Sequence, residues 1–211
     1  MLPGGLCGII PPKGGGSLLY AARYEERGLS RGEEGRLQRR LARALLGHAL
    51  RREFSLELDA LPVERGPQGK PYFPGVPVEF SLSHCRGMVC AGLSAAPLGV
   101  DVQPARPCSQ RLARRICTPE ELAWLEGSPQ KDRDLMALWT WKEAVMKLWG
   151  QGMSYGFQQA AFRFPQGDPV PLDSRVTLSR FFLGEVSLAA ASLGEGFPSV
   201  IEVPRRGLPL G

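Results

Sequence analysis

Histidine is scarce in this 211-residue chain, and cysteine is unpaired. There are two histidines and five cysteines (Cys7, Cys85, Cys90, Cys108 and Cys117), with no C-x-x-C pair. Zinc sites draw on closely spaced Cys and His ligands, so this spacing argues against one. An odd set of scattered thiols fits reduced, buried cysteines better than a disulfide framework. The opening segment, MLPGGLCGIIPPKGGG, has no basic leader and is broken by Pro and Gly. It reads as neither a signal peptide nor a membrane span, and a cytoplasmic protein is expected. The chain also lacks a G-x-x-x-x-G-K-[ST] loop and a G-x-S-x-G elbow, which removes the P-loop and nucleophile-elbow routes to chemistry. Ser83 and His84 are adjacent, but neighbouring strand residues point to opposite faces, so His84 is poorly placed to activate Ser83.

What remains is an ordinary globular balance. Hydrophobic residues make up 43% and charged residues 22%. The length suits one large domain or two modest ones. Lys and Arg exceed Asp and Glu by 26 to 21, a net charge of +5. That excess favours an acidic partner: a nucleic acid, a phosphorylated ligand or an acidic protein. Twenty-six Gly and nineteen Pro predict many loops.

Periodicity places the elements. A short strand is expected around Leu6–Ile10. Leu37, Leu41 and Leu45 recur at i+4 within a helix over 33–53, with Arg36, Arg39, Arg40 and Arg43 on its other positions. ERGPQGKPYFPG (64–75) is a Gly/Pro loop carrying Lys70 and Pro71. VEFSLSHCRGMVCAGLS (78–94) alternates as two strands around a CRG turn, and LGVDVQ (98–103) is a third. On that third strand Asp101 and Gln103 share one face, while Val100 and Val102 share the other. In CTPEELAWLEG, Thr118 is an N-cap, Pro119 suits the first helical position and Glu121 completes a capping box, leaving Glu120 without such a duty. KDRDLMALWTWKEAVMKLW (131–149) is the most periodic helix. Lys142 lies inside its apolar stripe, and Glu143 and Lys147 are an i, i+4 pair. GEVSLAAASLGEG near the C-terminus loosely echoes GMVCAGLSAAPLG (87–99), too briefly to establish a repeat.

The residue types converge on one chemistry. Carboxylates from two elements, Asp101 and Glu143, are what a hard divalent cation needs; Mg²⁺ takes one or two carboxylates and completes its shell with phosphate and water. Lysines beside such a pair neutralise phosphate charge. An uncompensated carboxylate in a half-buried strand is costly, and a cation is a simple remedy.

GKP (69–71), FSLSH (80–84), GVDVQ (99–103) and WTWKEAVMK (139–147) occur in the order and at about the spacing of the 4′-phosphopantetheinyl transferase family. The length is similar to that of its surfactin-synthetase-type group. The resemblance implies an α+β fold of two pseudo-symmetric halves, each a small, mostly antiparallel sheet packed against helices. The halves would be residues 1–98 on the coenzyme A nucleotide side and 99–211 with the metal ligands. It implies a monomeric enzyme that moves the phosphopantetheine arm of coenzyme A to a serine of an acyl or peptidyl carrier protein, without nucleic acid or membrane as partner. By matching position, Asp101 and Glu143 would hold Mg²⁺; Gln103, the third candidate ligand, would coordinate it directly, hold a metal-bound water or sit outside the shell, the water-mediated role being favoured. Lys142 and Lys147 would contact phosphates, and Lys147 would assist proton transfer. Lys70 and Pro71 would lie near the adenine nucleotide, with Ser83 and His84 at its phosphates. Arg36 would meet the 3′-phosphate, with Arg23, Arg27, Arg39 and Arg40 as rivals. Glu120 matches a glutamate assigned to deprotonating the carrier serine. One departure stands out: where the commonest family pattern has a second acid, this chain has Gln103, whose neutral carbonyl is the weaker ligand.

Plainer readings of the same residues exist. Lys142 would simply snorkel from an apolar face, and Glu143–Lys147 alone would be a surface pair worth about 0.3–0.5 kcal/mol. A degenerate module that binds coenzyme A or a carrier without turnover is the alternative function, supported by Gln103. A nucleic-acid-binding domain rests on charge alone.

Overall fold

The computed structural model describes residues 16–25, 28–107 and 109–208. The strand expected at Leu6–Ile10 lies outside the described residues. In chain order the elements are β1 (Leu18–Arg23), α1 (Arg31–Phe54), β2 (Glu64–Arg65), β3 (Pro71–Tyr72), β4 (Glu79–Cys85), β5 (Met88–Ser94) and β6 (Leu98–Pro104). Then follow α2 (Gln110–Ile116), α3 (Pro119–Glu126), α4 (Lys131–Trp149), β7 (Phe162–Arg163), β8 (Val170–Pro171), β9 (Thr177–Leu183), β10 (Val186–Ser192) and β11 (Val200–Glu202). The fold is α+β, with two main sheets in the orders β11-β1-β5-β4 and β6-β10-β9. Pairing is antiparallel except where β11 joins β1 in parallel.

Four layers result, because side chains on each strand alternate between two cores. Tyr20, Ala22, Val89, Ala91 and Leu93 pack under α1, through Leu41, Leu45 and Leu50. Leu19, Ala21, Met88 and Cys90 turn the other way and meet Val100, Val102, Leu188 and Ala190 between the sheets. The outer face of the second sheet, with Ala189 and Ala191, packs against α4 and the aromatics around it. The two segments that echo one another in sequence are β5 and β10. Each is an inner strand of its sheet.

Local chemistry explains the boundaries. SRGE at 30–33 is a capping box: Ser30 Oγ accepts the Glu33 N–H, and the Glu33 carboxylate accepts the Ser30 N–H. The TPEE sequence behaves the same way, with Thr118 as N-cap and Pro119 in the first turn. Two glycines permit close approach. A Cβ on Gly92 would lie 2.6 Å from Val100 Cγ1 across the sheet interface, and one on Gly99 would lie 2.1 Å from the Ala144 carbonyl oxygen of α4. Gly99 therefore lets α4 lie directly on β6, which brings that helix over Asp101.

The expected division at 98/99 falls at the first residue of β6, but β11 returns from the C-terminal half to pair with β1 through Leu19↔Val200 and Tyr20↔Ile201. β1 and α2 were not among the elements read from periodicity. β1 (LLYAAR) is nearly all apolar because both of its faces are covered.

Candidate active site

β4 and β6 lie side by side at the seam between the two sheets, where serine side chains bridge them. Ser81 Oγ accepts the Val100 N–H at 3.0 Å. Two residues on, Ser83 Oγ donates to Asp101 Oδ1 at 2.7 Å. The Asp101 carboxylate is almost wholly buried, at 2% exposure. From α4, Lys147 Nζ donates to the same Asp101 oxygen at 2.7 Å and to Ser83 Oγ at 2.9 Å. Gln103 Nε2 donates to Asp101 Oδ2 at 3.1 Å. Asp101 is thus held by three side chains from three elements, and both of its oxygens are engaged.

Glu143 stands one helical turn before Lys147. Burial raises its carboxyl above the ordinary glutamate range, and the negative charge of Asp101 adds to the rise; Lys147 opposes it. The two carboxylates therefore feel one another, with a single ammonium between them. An Asp, a Glu and a carboxamide carbonyl form an oxygen donor set with one negative charge in excess of Lys147. Hard divalent cations bind such sets, so these residues fit Mg²⁺. Among the described residues no group of three or more His, Cys, Asp or Glu could hold a metal; this pair of acids with Gln103 falls below that count.

His84 points away from Asp101, toward α1, as strand alternation requires. Burial lowers its pKa, and the cations of Lys147 and Arg39 lower it further. Arg39 is thus the arginine of α1 whose charge reaches the His84 side. Arg36 lies nearer the helix start, where its charge acts on Glu33. Cys85, buried and close to the Asp101 charge, has its thiol pushed up to about 12, which keeps it out of any nucleophilic role.

Beside the seam is a cavity of about 240 Å³, lined by Lys70, Pro71, Leu82, Lys147 and Gly150 among others. A second, of about 350 Å³, lies across the 66–70 loop and is lined by Tyr72, Glu79 and Trp149 among others. Lys70 and Pro71 thus meet Lys147 at one cavity. The Lys70 ammonium donates to the carbonyls of Leu98 and Leu148, at 2.9 and 3.0 Å. It binds the start of β6 to the C-terminal end of α4, where a cation is favoured. Its stem packs over Gly150, the left-handed C-cap of α4. In this arrangement Lys70 braces the cavity wall, with most of its hydrogen-bonding capacity spent on backbone.

One expectation needs correction. Lys142 does not reach the phosphate side. Its side chain is 0% exposed. The ammonium donates to the carbonyls of Ile116 and Phe157, both at 2.8 Å, and pairs with Glu121 at 2.7 Å. All three ammonium donors are used. Burial pushes its pKa below the usual lysine range, and the Glu121 carboxylate opposes that shift. Glu121 in turn accepts the N–H groups of Thr118 and Phe162. Snorkelling fails too, since the charge is deep inside rather than at the surface. Glu120 is exposed and its carboxylate accepts the Phe164 N–H at 3.3 Å; among the described residues no hydrogen bond or ion pair joins it to Asp101, Glu143 or Lys147.

Residues 97–194, from the start of β6 to the end of β10, match the model of the 4′-phosphopantetheinyl transferase superfamily. Through that region the chain is similar to this superfamily. Similar curated proteins carry the same description. The 4′-phosphopantetheinyl transferase psf-1 of Bacillus pumilus is 33% identical over 132 residues, covering 59% of this chain and 57% of that protein. A 4′-phosphopantetheinyl transferase of Bacillus subtilis is 29% identical over 176 residues, covering 71% of this chain and 78% of its own length. The 4′-phosphopantetheinyl transferase Sfp of Bacillus subtilis strain 168 is 28% identical over 142 residues, 62% of each. The chain thus spans little more than half the length of the Bacillus pumilus relative it matches. The superfamily region contains Asp101, Gln103, Glu143 and Lys147, while Ser83, His84 and Lys70 precede it.

Proposed function

We propose that this protein is a 4′-phosphopantetheinyl transferase. It moves the phosphopantetheine arm of coenzyme A onto a serine hydroxyl of an acyl or peptidyl carrier protein and releases 3′,5′-ADP. The observation that carries this reading is the Asp101–Ser83–Lys147 contact across the seam, with Glu143 close enough to feel the Asp101 charge, beside a cavity that Lys70 and Pro71 wall. The N-terminal half, residues 1–98, contributes the nucleotide side of the cleft, and residues 99–211 contribute the acids and the helix that carries Glu143. We take it to act as a cytoplasmic monomer.

In this reading Asp101 and Glu143 would hold Mg²⁺, with Gln103 at the edge of its shell, and the ion would offset negative charge on the phosphates. Lys147, fixed by Ser83 and Asp101, presents its ammonium to a phosphate oxygen. Ser83 orients both Asp101 and Lys147, so it acts by holding their geometry. On the α1 side Arg39, whose charge acts on His84, is the arginine we favour for the 3′-phosphate over Arg36. The carrier serine oxygen attacks the phosphorus that bears the pantetheine arm; a new P–O bond forms, the bridging P–O bond breaks with its electron pair leaving on 3′,5′-ADP, and the hydroxyl proton passes to a carboxylate base, for which the exposed Glu120 is the candidate. The net positive charge suits an acidic carrier.

The test is mass spectrometry of apo carrier proteins incubated with this protein, coenzyme A and Mg²⁺. The carrier should gain the mass of the phosphopantetheine arm, and Asp101→Ala and Glu143→Ala should each abolish the gain while the fold survives. Full activity in either variant would sink the assignment of the acids. Coenzyme A binding without transfer to any carrier would favour the non-catalytic module that Gln103 suggests.

A further inference from the structure

Among the described residues two buried side-chain polar atoms lack a hydrogen-bond partner, Trp149 Nε1 and Ser187 Oγ. Such an orphan costs on the order of 1–3 kcal/mol relative to a satisfied group, so each needs a reason. Trp149 is only half-buried as a residue and lines the second cavity. Ser187 is different: it is 3% exposed and sits on the central strand of the second sheet.

The register shows which way it faces. Ser187 pairs with Gln103, and Ala189 pairs with Asp101. Directly opposed residues of an antiparallel pair share a face, with Cβ atoms about 5 Å apart. Ser187 therefore lies on the same side of the sheet as Asp101 and Gln103, the side covered by α4, and next to the carboxamide that stands where an acid is commonest. An alanine, as at positions 189 and 191, would fill the same place without stranding a hydroxyl.

We propose that Ser187 is a positioning residue of the metal edge of the site. Its hydroxyl and the Gln103 carbonyl together hold a water molecule that completes the shell around the Asp101–Glu143 pair. Gln103 Nε2 is committed to Asp101, which leaves its carbonyl oxygen as the second polar partner such a water needs. A neutral carboxamide with a hydroxyl and a water thereby does the work of a direct carboxylate ligand. This inference rests on the Mg²⁺ reading above.

The experiment is calorimetric titration of Mg²⁺ into the full chain saturated with coenzyme A, alongside thermal unfolding without metal. Ser187→Ala should weaken Mg²⁺ binding about tenfold, the lower end of what loss of an outer-shell partner costs. Its metal-free unfolding midpoint should stay the same or rise, because a stranded hydroxyl has gone. Adding Gln103→Glu to Ser187→Ala should restore Mg²⁺ affinity, since a carboxylate ligates without the water. Unchanged Mg²⁺ affinity in Ser187→Ala, a matching loss of metal-free stability, or a double variant as weak as the single one overturns the proposal. A wild-type chain that binds coenzyme A but takes up no Mg²⁺ overturns the metal reading itself.

Discussion

Lys142 and Glu143 are consecutive in α4, yet their side chains belong to different compartments. Lys142 is sealed against Glu121 and two backbone carbonyls, whereas Glu143 shares its surroundings with Asp101 and Lys147. The roughly 100° step between helical neighbours is enough to separate them. One residue of the pair holds the helix in place, and the other faces the chemistry.

The first prediction follows from that separation. Lys142→Met leaves Glu121 buried and unpaired, which should cost about 3–5 kcal/mol of folding stability. A Glu121→Gln partner substitution should recover part of the loss, because it removes the stranded charge and keeps an oxygen that can accept one of the Thr118 and Phe162 N–H groups. Urea unfolding of the single and double variants measures both. A Lys142→Met protein as stable as wild type would refute the structural role.

A second prediction concerns the seat of α4. Gly99→Ala sets a methyl 2.1 Å from a helix carbonyl, so the helix or the strand must move. Overpacking of this kind costs about 1–3 kcal/mol. Because the displaced helix carries Glu143 and Lys147, transfer activity should fall further than the stability change alone explains. Activity measured well below the unfolding midpoint separates the two effects.

The third concerns pH. The chain's two histidines are both pulled below their ordinary range, His84 by burial, Lys147 and Arg39, and His48 by burial, Arg52 and Arg51. The unfolded chain therefore binds these protons more readily than the folded one, so stability is present above pH ~6.5 and is lost as pH falls. Unfolding midpoints should drop between pH 7 and 5, above the window in which Glu33, Glu57 and Asp173, all lowered, give up their charge. His84→Asn should flatten part of that slope; an unaltered slope would contradict the burial described for this ring.

Much of the site was legible because its residues sit in regular elements. Strand alternation alone put Asp101 with Gln103 and separated Ser83 from His84, and the spacing of α4 made Glu143 and Lys147 neighbours. What sequence could not show was the rotation of α4 against its surroundings. Lys142 was legible inside the apolar stripe, but not that its charge would be sealed against Glu121. Glu121 was legible as a capping residue, but its second role depends on a partner 21 positions on. Lys70 read as a loop lysine near the adenine nucleotide, and its use on two carbonyls follows from the loop folding back on Gly150. The SRGE box at the start of α1 was in plain view as a start signal. β1 and β11 were harder to see: the first is apolar on both faces, and the second is three residues long.

The parallel pairing of β11 with β1 has a consequence for how the chain comes to exist. Leu19 waits for Val200, so a nascent chain emerging from the ribosome carries an open apolar strand edge on β1 until β11 has been made. Contacts this distant in sequence form late and slowly, and an unpaired edge in the interval invites association with other chains. The sheet β11-β1-β5-β4 closes only after the strands of the other sheet have been made, so the two sheets cannot be completed one after the other in chain order.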